Sequence, residues 1–307
     1  MKISSIVPTY KRPEDLARCL AAFDRQVRLP DELIVVVRNT DTVTHDLLNT
    51  IELERVQPKT ALVEAGGVIA AMNRGIEFSS GEIITFTDDD AEPYPDWLEA
   101  IEAHYANDST VGAVGGKDCV YINGELLGGD AQDVGCVSWF GRAIGNHHIG
   151  SGTAREVDVL KGVNMSFRKN AMKVPKFDER MKGSGAQVHF EMAATLPMRK
   201  AGWKVIYDPQ ILVNHYPAQR FDEDQRNQFN ELAWVNEVHN ETLAILEYLE
   251  PIGLWAHSIW SELIGTRRSL GLLQFLRLLP KERKLARLKY FASIKGRVLG
   301  RQTLLES

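Results

Sequence analysis

Ile83-Ile84-Thr85-Phe86-Thr87-Asp88-Asp89-Asp90, followed by Ala91-Glu92-Pro93, decides how this chain is read. Five β-formers in a row suit a strand covered on both faces, and the strand stops on three carboxylates. Like charges at that spacing repel, so a chain that only had to fold would gain little from them. Hard oxygen donors at a strand end are, by contrast, a place to hold Mg²⁺ or Mn²⁺, and through the metal a pyrophosphate. Taken alone, an acidic triplet is more often a solvated turn, so the flanking pattern has to decide.

Working outward, strand and helix signals alternate. Ile3 to Val7 is a short apolar run ended by Pro8, and Pro13 opens a helix with Glu14 and Asp15 in its first turn. Leu16, Leu20 and Phe23 recur at helical spacing. Leu33 to Val37 and Thr60 to Val63 are further strands, and a helix from about Val68 to Phe78 precedes the strand at Ile83. Such units predict an α/β fold with a doubly wound, mainly parallel sheet flanked by helices. In these sheets ligands bind at the carboxyl ends of the strands. Thr9 to Arg12, Arg38 to Asp41 and the aspartates all fall there, which raises the triplet above a solvated turn.

The middle, Val111 to Phe167, reads as short strands and glycine-rich loops, and a helix-strand unit runs from about Ala186 to Val213. Asp222 to Leu249 looks helical and polar. After Pro251 the texture changes to an apolar set with Trp255 and Trp260, then a run to Leu279 and a basic helix from Pro280. The expected division is a catalytic domain over 1–220 and a helical, basic extension over 221–307.

Bulk numbers bound the rest. The 307 residues are 44% apolar and 25% charged, an ordinary soluble composition. Cys19, Cys119 and Cys136 lie far apart, which disfavours a disulfide framework or a zinc site. No signal peptide is apparent, so a cytosolic location is the expectation. The net charge of −5 hides an asymmetry, because residues 251–307 carry 11 Lys/Arg against 3 Asp/Glu. A basic, Trp-rich tail suggests contact with an anionic surface. The charge-free piece from Pro251 to Ser261 is too short for the ~20 residues that span a bilayer. Two readings stay open for these helices: an amphipathic element at the inner face of the membrane, or helices docked on the catalytic domain.

VPTYKRPEDLARCL, the run from Gly81 to Asp90, and GWKVIYDP ahead of Asn214-His215 together resemble family 2 glycosyltransferases, over roughly Lys2 to Tyr216. The resemblance implies a GT-A fold and a metal-dependent, inverting transfer of sugar from a nucleotide-diphosphate donor to a hydroxyl acceptor. It implies donor contacts from Pro8, Thr9, Tyr10 and Arg12, and from Asp88 and Asp89. The family usually ends its second strand on a base-reading aspartate. This chain has Arg38 to Asp41 there, so Arg38 and Asp41 are the candidates and the base is left open. Where the family has Arg-Asn, this chain has Met72-Asn73, with Asn73 the remaining donor candidate. Asp90 and His215 are implied at a divalent metal, Mg²⁺ or Mn²⁺, bridging the diphosphate. Counting back from Gly202-Trp203, Glu191 is the implied general base, with Pro197 expected to kink or delay its helix. Gly162, Asn164 and Trp139 are candidate walls for the sugar or the acceptor.

A lipid-linked glycan or polysaccharide precursor is the acceptor that the basic tail suggests, and no feature points to nucleic acid. Two other readings make different demands on the sequence. A nucleotidyltransferase should carry a glycine-rich loop after the first strand, and VPTYKRPED has no glycine. A non-catalytic nucleotide- or sugar-binding protein of the same fold differs only in lacking a working base.

Overall fold

The computed structural model describes residues 1–172, 176–221, 223–225 and 228–306. In chain order the elements are β1 (Ile3–Thr9), α1 (Pro13–Asp24), β2 (Glu32–Arg38), α2 (Thr42–Thr50), β3 (Pro58–Val63), α3 (Val68–Phe78) and β4 (Ile83–Phe86). Next come β5 (Ala91–Pro93), α4 (Trp97–Asn107), β6 (Val111–Ile122) and the two-residue strands β7 (Glu125–Leu126), β8 (Cys136–Val137), β9 (Ala143–Ile144) and β10 (Arg155–Glu156). β11 (Met165–Arg168), α5 (Phe190–Lys200), β12 (Lys204–His215), α6 (Glu231–Tyr248), α7 (Pro251–Leu263), α8 (Leu272–Glu282) and α9 (Lys284–Leu305) complete the chain.

The main sheet runs β10-β12-β6-β11-β4-β1-β2-β3. β1, β2, β3 and β4 are mutually parallel, as are β6 and β12, while β11 is antiparallel to both its neighbours. The continuous apolar runs are explained by cover on both faces. Ile3, Val7, Leu33 and Val35 pack with Leu16, Leu20 and Phe23 of α1 and Trp97 of α4. On the opposite face Ile6 and Val36 meet α3, where a Cβ on Gly75 would lie 2.5 Å from Ile6 Cγ2.

One buried acid ties these strands together. The Glu32 carboxylate accepts from Ser4 Oγ at 2.6 Å, from the Ser80 N–H at 2.8 Å and from Lys59 Nζ at 3.1 Å. Burial alone would raise its pKa, but the hydrogen bonds from Ser4 and Ser80 outweigh it and hold the carboxyl far below its ordinary 4.5. A carboxyl depressed by folding contributes stability that is complete above its unfolded value and is lost as pH falls toward its folded one. Glu32→Gln should therefore lower stability at pH 7 by about 1–3 kcal/mol. Urea titrations should show the gap to wild type closing below about pH 4.5; a gap independent of pH would refute this.

Two expectations are corrected here. Val111 to Phe167 is not a set of short strands only, because β6 is 12 residues long. Its glycines mimic a loop, yet a Cβ on Gly116 would fall 2.0 Å from the Ile211 carbonyl oxygen, where β12 crosses with a register shift. The helix expected from Asp222 starts at Glu231, where the Asn230 side chain caps the Ala233 N–H. It is not polar throughout: Val235, Val238, Leu243 and Ile245 are buried. Residues 222, 226 and 227 of that stretch lie outside the described residues. Similarly, α8 continues through Pro280 to Glu282 rather than ending before it.

The chain divides into two compact units. The first comprises Met1–Cys136, Ile144–Phe177 and Pro197–Ala218, and the second Val137–Ala143, Asp178–Leu196 and Gln219–Ser307. The second unit thus takes in two segments that a division at residue 220 assigns to the first. Within it, α6 and α9 pack closely because Gly296 and Gly300, one turn apart, face α6; a Cβ on Gly296 would lie 2.7 Å from the Val235 carbonyl. The α9 residue Arg297 is buried and forks onto Glu262, with both contacts at 3.1 Å.

Candidate active site

In the first unit, β1, β2 and β4 are parallel and adjacent, so Thr9, Arg38 and Thr87 leave the sheet on one edge. Tyr10 and Arg38 meet there, with the guanidinium carbon 4.0 Å from the ring centroid. Lys11 adopts a left-handed backbone, φ 56°. It is held there by Asp41, whose Oδ2 accepts the Lys11 N–H at 2.6 Å.

Past β4 the chain turns sharply, and β5 pairs antiparallel with the end of β12, setting His215 opposite Ala91. The Tyr216 N–H then donates to the Asp90 carbonyl at 2.9 Å, and the Ala218 N–H to Asp90 Oδ2 at 2.9 Å. These pairings fold residue 215 onto residue 90. Asp88, Asp90 and His215 can each offer one ligand atom, all within 4.8 Å of one another.

The electrostatics are those of crowded, desolvated anions. Arg12 reaches back to the triplet, with Nη2 3.0 Å from Asp89 Oδ1 and Nη1 3.1 Å from Asp90 Oδ2. Burial pushes the Asp88 carboxyl above its ordinary range, and the charge of Asp90 adds to it. Asp89 is fully buried, and burial raises it against the pull of Arg12. His215 is buried between acids: its Nε2 is 3.5 Å from Asp90 Oδ1, and its Nδ1 is 3.8 Å from Asp118 Oδ2. Among the described residues neither ring nitrogen has a hydrogen-bond partner.

A divalent cation fits this donor set. Two carboxylates and an imidazole suit Mg²⁺ or Mn²⁺, with nitrogen ligation favouring the latter. The unsatisfied His215 nitrogens and the raised Asp88 carboxyl are conditions that a bound cation would reverse.

The other candidates divide between this site and the packing around it. Arg12 lies at this site, but its guanidinium is engaged by Asp89 and Asp90 rather than held out toward a phosphate. Asp41 is buried and caps α2 through the Thr44 N–H and hydroxyl, so it holds the Lys11 loop instead of presenting an oxygen outward. Asn73 is buried, and its amide exchanges hydrogen bonds with the Phe177 backbone at 3.0 and 2.6 Å. Asn164 is fully buried and pins three elements: it accepts from Trp97 Nε1 at 2.8 Å and donates to the Ile211 and Lys117 carbonyls. All three are buried and engaged by partners within the fold. Gly162 lies buried in the turn before β11, and Pro8 sits within β1 beside Val36.

Trp139 and Glu191 belong to the second unit. Trp139 is 68% exposed and meets Phe140 edge-on. Glu191 is the second residue of α5, which runs unbroken past Pro197 to Lys200 and does not start late. Asp118 on β6 is the residue that sequence reading missed. A lone acid in a glycine-rich run carries no motif, and only strand register shows that it lies beside His215.

The chain matches Glycosyl transferase family 2 over residues 4–166, more than half of its 307 residues. It therefore belongs to that family, and is a glycosyltransferase of GT-A fold. It is 28% identical over 234 residues to the glucosyl-dolichyl phosphate glucuronosyltransferase of Haloferax volcanii, covering 70% of this chain and 69% of that protein. Among solved structures it is similar to GalNAc-T7 with UDP, GalNAc and Mn²⁺, with a TM-score of 0.66 and 13% identity. That likeness covers 100% of this chain but spans only 57% of the other. It is also similar to the mannosyltransferase PcManGT from Pyrobaculum calidifontis in complex with GDP-Man and Mn²⁺. Here the TM-score is 0.54 and the identity 18%, over 99% of this chain and 87% of that one. At such identities the structural likeness speaks for the fold.

Proposed function

We propose that this glycosyltransferase is metal-dependent and inverting, moving a sugar from a nucleoside-diphosphate donor to a hydroxyl on a lipid-linked acceptor. The observation that carries this reading is the Asp88, Asp90 and His215 cluster, at the same carboxyl edge of the sheet as Tyr10 and Arg38. Asp88, Asp90 and His215 would hold Mg²⁺ or Mn²⁺, which neutralises charge on a departing diphosphate. Tyr10 offers a face for the base, and Arg38 a cation beside it. Arg12 contacts Asp89 and Asp90 and orients the triplet. The two similar structures hold UDP and GDP-Man, each with Mn²⁺, which supports a nucleotide donor without choosing the base.

Glu191 would take the proton from the acceptor hydroxyl. It lies in the first turn of α5, where the helix dipole favours a carboxylate. Gln187 and His189 just before it have left-handed backbones, φ 41° and 74°, strain of about 1–3 kcal/mol each that tends to persist at functional sites. Asn240 ties this entry down, accepting the Lys182 N–H and donating to the Lys182 and Val188 carbonyls.

The acceptor side is supported by α7 and α8. Along α7, Ile252, Trp255, Ile259 and Leu263 form one exposed apolar stripe, with Trp255 76% exposed. On α8 nothing is buried, and Leu273 and Leu276 are exposed together with Arg277 and Lys281. Glu262 and Glu282 are engaged by Arg297, Arg301 and Lys289, leaving eight exposed Lys/Arg over residues 251–307. Apolar side chains flanked by cations match an anionic lipid surface, and among the described residues no helix is long and apolar enough to cross a membrane. Action at the inner face of a membrane follows from this proposal, and the Haloferax relative is named for a dolichyl phosphate substrate.

Two measurements test it. Thermal-shift screening against nucleoside diphosphates, each with Mn²⁺ or EDTA, should give a rise with one base and only with metal. No shift with any nucleotide would remove the donor site. Vesicle sedimentation should capture the protein on anionic but not neutral lipid, with Trp255→Ser/Ile259→Ser lowering capture at least several-fold. Equal capture by the variant would sink the surface assignment.

A further inference from the structure

We infer that Asp118 is a positioning residue for His215, fixing which imidazole nitrogen faces the metal cluster. This rests on the metal-site reading above and assigns a residue that no motif marks.

Strand register places it. β6 and β12 run parallel with Asp118 beside Val213 and Val120 beside His215, while β5 sets Ala91 against His215 from the other side. The imidazole therefore lies between two carboxylates. Nε2 faces Asp90 Oδ1 at 3.5 Å and Nδ1 faces Asp118 Oδ2 at 3.8 Å.

Burial makes this arrangement informative. Asp118 is 3% exposed and His215 is 7% exposed. Among the described residues Asp118 Oδ1 and both His215 nitrogens lack hydrogen-bond partners. A buried carboxylate is costly unless it is paired. Among the described residues the His215 ring faces Asp118 within 4.0 Å, where an Nδ1–H would point at the carboxylate, and no lysine or arginine pairs with Asp118 at that distance. A carboxylate facing Nδ1 favours the tautomer with hydrogen on Nδ1. That leaves the Nε2 lone pair directed at the side of Asp88 and Asp90. Partners behind metal-bound histidines act in this way, and their loss typically costs 10–100-fold in metal affinity.

The test uses Asp118→Asn, which keeps the shape but offers an N–H to Nδ1 and so selects the opposite tautomer. The probe is Mn²⁺ alone, titrated by the loss of its free-ion electron paramagnetic resonance signal. Wild type should bind, and Asp118→Asn should bind about 10–100-fold more weakly. Asp118→Glu should recover part of that loss. In a His215→Ala background Asp118→Asn should cost nothing further, because the two act as one unit. Nitrogen-15 spectra of histidine-labelled protein, with the His215 signal identified by its absence in His215→Ala, should show Nδ1–H in wild type. In Asp118→Asn they should show Nε2–H.

An Asp118→Asn protein that binds Mn²⁺ like wild type and keeps the wild-type tautomer would overturn the inference. So would full additivity with His215→Ala. Wild-type protein that ignores Mn²⁺ would overturn the metal reading instead. The ring-nitrogen spectra need no metal, so the tautomer would still decide whether Asp118 orients His215.

Discussion

In Asp90→Ala, the rise in melting temperature that a nucleoside diphosphate and Mn²⁺ give the wild type is expected to disappear. At a ligand concentration 100 times the dissociation constant that rise corresponds to about 2.7 kcal/mol, a shift of several degrees. Asp90 is the member of the cluster with most at stake. One oxygen lies 3.5 Å from His215 Nε2, and the other is held by Arg12 and the Ala218 N–H. On the proposed reading, removing it deletes a ligand atom and loosens the contact that fixes residues 215–218 beside the triplet. Transfer should fall by about 10²–10³-fold at least, the usual cost of losing one stabiliser of developing charge. Asp90→Asn separates the two effects, since it can still accept from Arg12 and Ala218 but lacks the charge. If Asp90→Asn keeps the metal-dependent shift, the carboxylate is structural and the cation sits elsewhere. If both variants keep it, the triplet does not bind the donor's metal at all.

Sequence periodicity made the β1–β4 half of the sheet legible, because parallel strands buried on both faces leave continuous apolar runs. Ile3 to Val7 and Leu33 to Val37 have no other ready explanation. The candidate cluster of Asp88, Asp90 and His215 was legible in part. Asp90 and His215 lie 125 positions apart in the sequence, and only the ordered family motifs suggested that they belong together. What brings them into contact is the three-residue strand β5, which is too short to leave a pattern. Asp118 was invisible for a related reason: its partner is set by the register of β6 against β12, which depends on a shift between Asp208 and Leu212. The internal partners of three polar candidates were hidden for another reason. Asp41 caps α2, Asn73 lies within α3 and Asn164 just before β11. Here each satisfies buried backbone or ring N–H groups, a demand that a sequence does not display.

Glu191→Gln is expected to lower transfer by about 10²–10⁴-fold, the range for losing a general base, while leaving nucleotide and Mn²⁺ binding unchanged. The amide keeps the size of the side chain and a hydrogen-bonding oxygen, so the helix entry at Phe190 should survive. It cannot accept a proton at neutral pH. The split between chemistry and binding is what distinguishes a base from a structural acid: the melting shift with donor and metal should match wild type while turnover collapses. The strained approach through Gln187 and His189 gives a second handle. His189→Gly relieves a φ of 74° and should stabilise the fold slightly, by about 0.4–1 kcal/mol at most. If strain there aims Glu191, the same change should reduce turnover without altering donor binding. A Glu191→Gln enzyme with wild-type turnover would make this carboxylate an ordinary helix acid and send the search for the base to another residue.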